Sequence, residues 1–400
     1  MLWGLGQPIL AKGNLDTVRQ AGYRQSVMSS AWLQVVVAAV ALLCVIGPML
    51  IGEARGFDPR AFRLYGIQMP LAGLVSLVIH EAGHWAAGWA VGWRCLSIQI
   101  GPYKLVRRAA GWQIQWTGWN FSGAVASSPT SYDDFRKCDA WLTAGGPLAS
   151  ILQLVFFGLA ASITGSAEWF WSLANAAAFG FMATVFSLIP SREGFGSSDG
   201  MKLWQLLLGG LALEESKRRY LVNVSAGTPL RPRDWPIELM GPVLDGRVPR
   251  SRRNQYLAYI HLLDSGKPEA AFPWLAQFTA ERSKADPYDF AVEATYYLGI
   301  YERNASGAAL WLGRALKDKR ISGAYRLRAE AAAAFAAGRM AEAERLARAA
   351  LAKLDEELPC GLVEYQRTLL NDVLHLVSTS ASSVPVQKVI AAIHTLDAAQ

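Results

Sequence analysis

Charge is scarce in this chain, and that scarcity excludes an ordinary soluble protein. Only 18% of the 400 residues are charged while 52% are hydrophobic, and mean hydropathy is positive at +0.18. Soluble globular domains average about 25% charged residues. The hydrophobic residues crowd into the first half of the chain and most of the charge into the second. We therefore expect a membrane half joined to a soluble half.

Cysteine and histidine are few as well. No two of the four cysteines are close enough in sequence to form a metal-binding pair, so we treat them as ordinary thiols. Of the five histidines, only His80 and His84 fall in the hydrophobic half. The net charge of +7 would suit a nucleic-acid partner, but basic residues that flank membrane spans and face anionic lipid headgroups explain it better. We expect a lipid bilayer, and no nucleic acid, as a partner.

Four hydrophobic segments are long enough to cross a bilayer, which takes about 20 apolar residues in a helix. Lysine and arginine are concentrated in the tail formed by residues 1–29 and in the loop between the second and third segments. This asymmetry predicts that both termini face the cytoplasm. We therefore expect a polytopic membrane helix bundle over residues 30–213, after a cytoplasmic N-terminal tail. The predicted spans are residues 31–52, 64–93, 141–167 and 169–191.

The second half has a different composition. Residues 214–250 are rich in proline and read as a linker. In residues 251–400, three similar segments fall between helical runs: Gly266–Ala271, Asn304–Ala309 and Gly338–Ala343. Their spacing resembles tetratricopeptide (TPR) repeats, paired helices that stack into a solenoid. We expect a soluble, all-α, TPR-like cytoplasmic domain that can bind a protein partner. A non-repetitive helical bundle is the alternative.

A polar loop, residues 96–126, separates the second and third spans. Ser97–Ile100 and Trp112–Trp116 alternate apolar and polar residues as strands do, and Arg107–Gly111 between them can turn. The pattern predicts a small β-hairpin element in the otherwise helical chain. A hairpin there can offer an exposed edge to an extended substrate, and an ordinary surface hairpin is the alternative.

The string His80-Glu-Ala-Gly-His84 lies inside the second predicted span. On a helix, residues four apart share a face, so both imidazoles can bind one zinc ion while Glu81 reaches a water on that zinc. Ionisable groups are costly inside a span and persist where they pair, bind ions or act chemically. The alternative is a histidine–glutamate cluster that serves packing alone.

A catalytic zinc site takes three protein ligands and keeps one position for water. Asp199, in Ser197-Ser-Asp-Gly-Met-Lys202, is the third ligand that we favour, because it follows a glycine-rich break after the fourth span. Asp133, Asp134 and Glu193 are weaker candidates. Asp199 also suits the N-cap of a helix that starts at Gly200. We predict one zinc ion per chain, bound by His80, His84 and Asp199.

Three elements, in this order, resemble the site-2 proteases, a family of intramembrane zinc metalloproteases. They are His80–His84, the segment Ala144-Gly-Gly-Pro-Leu-Ala-Ser150, and Phe186-Ser-Leu-Ile-Pro190 followed by Ser198-Asp-Gly200. The resemblance covers roughly residues 30–213. It implies that Glu81 is the catalytic base and that Gly146, Pro147, Ser150 and Ser187 bind substrate. The chain departs from the family where Ser150 and Ser187 stand in place of asparagine, and where Ser198 stands in place of leucine.

The expected function is that of an intramembrane zinc metalloendopeptidase, which hydrolyses a peptide bond in or near a transmembrane segment of a membrane-protein substrate. The resemblance places such an enzyme in a bacterial inner (plasma) membrane. The alternatives are a zinc-binding pseudoprotease and a membrane-tethered TPR-like scaffold, both of which would regulate partners without cleaving them. The intact Glu81 argues against the pseudoprotease, and the scaffold leaves the histidine cluster unused.

Overall fold

A computed structural model describes residues 30–58, 65–119, 122–190, 192–193, 196–248, 250–280, 289–317 and 321–382. The described chain is mainly helical with one small four-stranded antiparallel sheet, which confirms this part of the predicted fold class. The predicted N-terminal tail lies outside the described residues, as does the end of the chain after residue 382.

The helices and strands follow one another along the chain in this order: α1 Ser30–Ala54, α2 Tyr65–Ala90, β1 Arg94–Ile100, β2 Tyr103–Arg108, β3 Gly111–Trp116, β4 Gly123–Ser128, α3 Phe135–Ile163, α4 Ala167–Leu188, β5 Arg192–Glu193, β6 Gly196–Ser197, α5 Asp199–Leu208, α6 Gly210–Arg219, α7 Leu221–Gly227, a 3-10 turn Pro232–Asp234, α8 Ile237–Leu244, α9 Arg252–Asp264, α10 Pro268–Ala280, α11 Asp289–Ile300, α12 Ala305–Ala315, α13 Gly323–Ala336, α14 Met340–Leu354 and α15 Gly361–Ser382.

The described chain divides into two compact units. The first contains the residues up to Ser76 together with Ser150–Lys202, and the second contains Leu77–Ala149 together with the residues from Leu203 onward. The first unit therefore holds α1, the beginning of α2, the end of α3, α4, the short strands β5 and β6, and the beginning of α5. The second unit holds the remaining parts of α2, α3 and α5, the four-stranded sheet and all helices from α6 onward.

Close helix packing organises the first unit. A Cβ atom on Gly52 of α1 would lie 2.5 Å from the Trp171 ring of α4, so a larger residue would force the ring or the helices apart. At the end of α1, the Arg55 guanidinium donates to the carbonyls of Ala161 at 2.7 Å and Thr164 at 2.6 Å. These carbonyls lie at the C-terminal end of α3, where a cation satisfies them well.

The helices match the four predicted spans with shifted ends. The second ends at Ala90 and turns at Gly92, which has a φ of 76°. The third begins at Phe135, six residues before its predicted start, because the charged Arg136 and Lys137 interrupt a hydropathy pattern without interrupting a helix. Among the described residues, two helices are long and apolar enough to cross a membrane by length and composition, α3 and α4.

The sheet of the second unit has the strand order β3-β2-β1-β4, and all its pairs are antiparallel. Both predicted strands form, but they do not pair with each other. The unpredicted β2 lies between them, so the turn predicted within Arg107–Gly111 forms at Ala109 and Ala110 but joins β3 to β2. The basic residues of β2 concealed its alternation, in which Tyr103 and Leu105 stand on one face.

Residues 214–250 do not form the linker that their proline content predicted. They contain part of α6, then α7, the 3-10 turn and α8, and Trp235, Leu239 and Met240 are buried in the main core cluster. Pro232 begins the 3-10 turn and Pro236 caps α8. Proline is tolerated where a helix starts because the N–H that it lacks has no partner inside the helix.

Three helix hairpins follow, α9/α10, α11/α12 and α13/α14, and α15 comes after them. The turns contain Gly266, Arg303 and Gly338, all with positive φ. Each of the three similar segments therefore begins between two helices, as predicted, and continues into the first residues of the second helix. The turn between β2 and β3 is bonded to this helical region, since Arg108 pairs with Glu357 and Ala109 N donates to the Glu356 carbonyl at 3.2 Å.

An ion pair lies at the centre of the helical region. Arg328 of α13 and Glu293 of α11 are both fully buried, and both terminal nitrogens of Arg328 donate to the carboxylate. Burial acts to lower the pKa of Arg328, but the Glu293 carboxylate, its hydrogen bonds and the neighbouring tyrosines together raise the pKa by a larger amount, so the net shift is upward. Arg328 therefore stays protonated, and its buried charge depends on Glu293.

Replacing Arg328 by methionine should destabilise the helical region by about 3–5 kcal/mol, because it leaves the Glu293 charge buried and uncompensated. Arg348→Met is the matched control, since Arg348 pairs with Glu344 on the surface and should contribute less than about 1 kcal/mol. Urea unfolding of the full chain in detergent measures both. Equal losses in the two variants would show that the buried pair has no special role.

Candidate metal centre

Two histidines on α2 are held in one orientation. His80 and His84 are four residues apart on one helix face, and each is only 8% exposed. His84 Nδ1 lies 2.7 Å from the carbonyl oxygen of Leu142 on α3. A carbonyl can only accept a hydrogen bond, so Nδ1 carries a proton, and in the neutral imidazole Nε2 then keeps its lone pair. This is the tautomer in which Nε2 can bind a metal ion.

The Nε2 atoms of the two histidines converge at Gly146 of α3. A Cβ atom on Gly146 would lie 2.7 Å from His80 Nε2 and would collide with His84 Nε2. Any side chain at this position would therefore fill the space in front of both nitrogens. The sequence singled out Gly146 by resemblance alone, and the geometry supplies a physical reason for a glycine there.

The backbones of α2 and α3 are almost in contact beside this point. A Cβ atom on Gly145 would lie 2.6 Å from the Ala87 Cβ and would collide with the carbonyl oxygen of Gly83. A Cβ atom on Gly83 would meet the carbonyl oxygen of Gly145 in the same way. Small residues on both helices therefore set a short interhelical distance, and that distance brings the Leu142 carbonyl within reach of His84.

Glu81 follows His80 on α2 and lies against the sheet. It is 4% exposed, and a Cβ atom on Gly123 would collide with its Oε1 atom. Gly123 is the first residue of β4, which forms one edge of the described sheet and pairs only with β1 there. The glutamate carboxylate therefore lies at the beginning of an edge strand. The sequence offered no signal for Gly123, which is one of 36 glycines.

Asp199 joins the two histidines in a group that can hold a metal ion. One ligand atom from each of the three residues lies within 4.8 Å of the others, and all three residues are buried. Lys202 Nζ lies 3.4 Å from Asp199 Oδ1. Two imidazole nitrogens and one carboxylate oxygen suit a divalent transition-metal ion, and three ligands leave room for a further one.

The alternative N-cap role of Asp199 is wrong. Ser198 caps α5, because its hydroxyl accepts from Met201 N at 3.2 Å, and Asp199 is the first residue of the helix. The Ser198 hydroxyl also donates to the Ile189 carbonyl at 2.6 Å, which ties the beginning of α5 to the end of α4. A Cβ atom on Gly200 would collide with the Leu188 carbonyl, so glycine is required for this contact.

The other predicted site residues have different surroundings. Pro147 and Ser150 are buried within α3. Ser187 of α4 is half-buried, and its hydroxyl donates to the Thr184 carbonyl of its own helix at 3.1 Å. Among the four residues predicted to bind substrate, Gly146 is the one that the described geometry brings against the histidines.

No family model, curated protein or solved structure matches this chain.

Replacing Gly146 by alanine should weaken metal binding roughly 10–100-fold, because the added methyl group displaces both Nε2 atoms. Gly158→Ala is the matched control. It lies on the same helix, and a Cβ atom there would meet nothing within 4 Å. Titration of the purified variants with Zn²⁺, read by the metal retained per chain, compares the two. Equal affinity in both variants would refute the convergence of the histidines at Gly146.

Proposed function

We propose that this protein is an intramembrane zinc metalloendopeptidase of the site-2 protease type. The observation that carries the proposal is the buried group of His80, His84 and Asp199, with the buried Glu81 next to His80 on the same helix. Two histidines, one carboxylate and an adjacent glutamate are the parts that a zinc peptidase needs. We propose one zinc ion per chain, held by His80, His84 and Asp199.

The exposed surfaces of the apolar helices support a place in the membrane. On α3, the side chains of Leu152, Phe156 and Ile163 are 68%, 67% and 84% exposed. A helix at the surface of a soluble protein turns polar side chains outward, whereas lipid accepts apolar ones. The same outward display occurs on α1 and α2, at Leu42, Leu43, Leu50, Ile51, Leu71, Leu74, Val75 and Val78.

A bound zinc ion supplies Lewis acidity, which polarises a peptide carbonyl and makes water more acidic. In this proposal, Glu81 takes a proton from the attacking water and then delivers it to the leaving amine. The Leu142 carbonyl keeps His84 in its metal-binding tautomer throughout. The β-sheet supplies the substrate surface, because an extended segment that paired along the free edge of β4 would begin at the Glu81 carboxylate.

Three successive helix hairpins are the arrangement in which TPR-like repeats present a binding surface, so we propose that residues 251–400 form a TPR-like domain with a protein partner.

We place both termini in the cytoplasm and the spans in a bacterial inner membrane. The substrate is a membrane protein cut in or near its transmembrane segment.

Glu81→Gln should retain zinc and lower cleavage about 100-fold or more, because it keeps the shape of the side chain and removes the base. His84→Ala should lose both zinc and cleavage. Glu344→Gln, on the surface, is the control and should behave as wild type.

The measurement compares new protein N-termini in membranes from cells that express each variant, read by mass spectrometry. Termini within transmembrane segments should depend on Glu81. If the same termini persist in the Glu81→Gln cells, the peptidase assignment fails, and the scaffold or pseudoprotease gains support.

A further inference from the structure

Two amide side chains lie buried between α3 and α4. Gln153 and Asn175 are each 3% exposed, and they belong to the same compact unit. Gln153 Nε2 donates to the Ala176 carbonyl at 2.8 Å. Neither Gln153 Oε1 nor Asn175 Nδ2 has a hydrogen-bond partner among the residues that the structure describes. Such groups are rare in native proteins and call for an explanation, because a buried polar atom without a partner is destabilising.

The two amides occupy one contact between the helices. Asn175 immediately precedes Ala176, the residue whose carbonyl holds Gln153. Gly180, five residues after Asn175 on α4, permits the close approach of the two helices. A Cβ atom added there would lie 3.0 Å from the Ser150 carbonyl oxygen and 3.3 Å from Gln153 Cδ. The Gln153–Ala176 bond is enough to join the helices. The second polar atom of each amide is therefore not needed for packing.

Gln153 lies on a face of α3 that has a second polar residue. Gly146, Ser150 and Gln153 follow one another at intervals of four and three residues, so they share that face. At a rise of about 1.5 Å per residue, Gln153 lies about 10 Å along the helix from Gly146. Ser150 and Gln153 are both buried on this face, where α4 packs against them at Gly180.

The two atoms without partners match the two polar groups of one peptide unit. Gln153 Oε1 accepts a hydrogen bond, as a peptide N–H requires, and Asn175 Nδ2 donates one, as a peptide carbonyl requires. A helical transmembrane segment satisfies its own backbone, but an unwound segment inside the bilayer must find partners elsewhere. We propose that Gln153 and Asn175 bind a backbone peptide group of the unwound substrate, an inference that rests on the proposed function.

The test uses a defined peptide and does not require cleavage. The probe is a fluorescent, lysine-flanked, 24-residue leucine–alanine peptide with a central Gly–Pro pair, which interrupts its helix. Its binding is measured by energy transfer in phosphatidylcholine vesicles that contain the full-length Glu81→Gln protein, with or without Asn175→Leu. The same peptide without the Gly–Pro pair is the helical control probe.

Asn175→Leu should weaken binding of the interrupted probe about tenfold, and it should leave zinc content and binding of the helical probe unchanged. Because leucine removes a buried Nδ2 atom that lacks a partner among the described residues, the thermal midpoint should stay equal or rise. Thr184→Val is the matched control on α4. It removes a hydroxyl that donates to the Gly180 carbonyl at 2.8 Å, and it should leave probe binding unchanged.

Unchanged probe binding in Asn175→Leu would overturn the proposal. Weaker binding together with a lower thermal midpoint would overturn it as well, since it would show that the amide is structural or holds a resident water. If the interrupted probe binds through Asn175 but no Glu81-dependent cleavage is found, the proposed function fails while the binding of unwound peptide stands.

Discussion

The candidate metal centre depends on the near-contact of two helix backbones. Gly83 and Gly145 allow α2 and α3 to meet with no side chain between them. At that separation the Leu142 carbonyl reaches His84 Nδ1, and the empty face of Gly146 receives both Nε2 atoms. One extra methyl group at Gly145 or Gly146 would disturb the approach, the histidine tautomer or the metal space. The geometry of the metal centre therefore depends on these glycines as well as on the histidines.

Buried polar groups lie in both regions. In the helical second half, both terminal nitrogens of Arg328 donate to Glu293, which joins α11 and α13. Between α3 and α4, Gln153 and Asn175 each keep one polar atom without a partner among the described residues. Natural proteins tolerate such local violations mainly at functional sites. The substrate role proposed for the two amides rests on their place between two apolar helices as well as on these atoms.

The sequence predicted what periodicity and composition determine. The apolar segments became helices, the similar segments mark the beginning of a second helix after a turn, and the spacing of His80 and His84 placed both on one face. The sequence prediction failed where contacts between distant residues decide the structure. Proline content at residues 214–250 suggested a linker because the sequence cannot show that Pro232 begins a 3-10 turn, that Pro236 caps α8 and that Pro242 packs within that helix. The roles of Gly123 and the Leu142 carbonyl depend on tertiary contacts that leave no pattern in the chain.

The most direct test of the metal centre is X-ray absorption at the zinc edge on the purified, zinc-loaded protein. The account predicts a first shell of nitrogen and oxygen only, at about 2.0–2.1 Å, with scattering from two imidazole rings. In the Asp199→Ala variant the two imidazole contributions should remain while the carboxylate contribution is lost. A first shell that contains sulfur, or that lacks two imidazoles, would contradict a centre built from His80, His84 and Asp199.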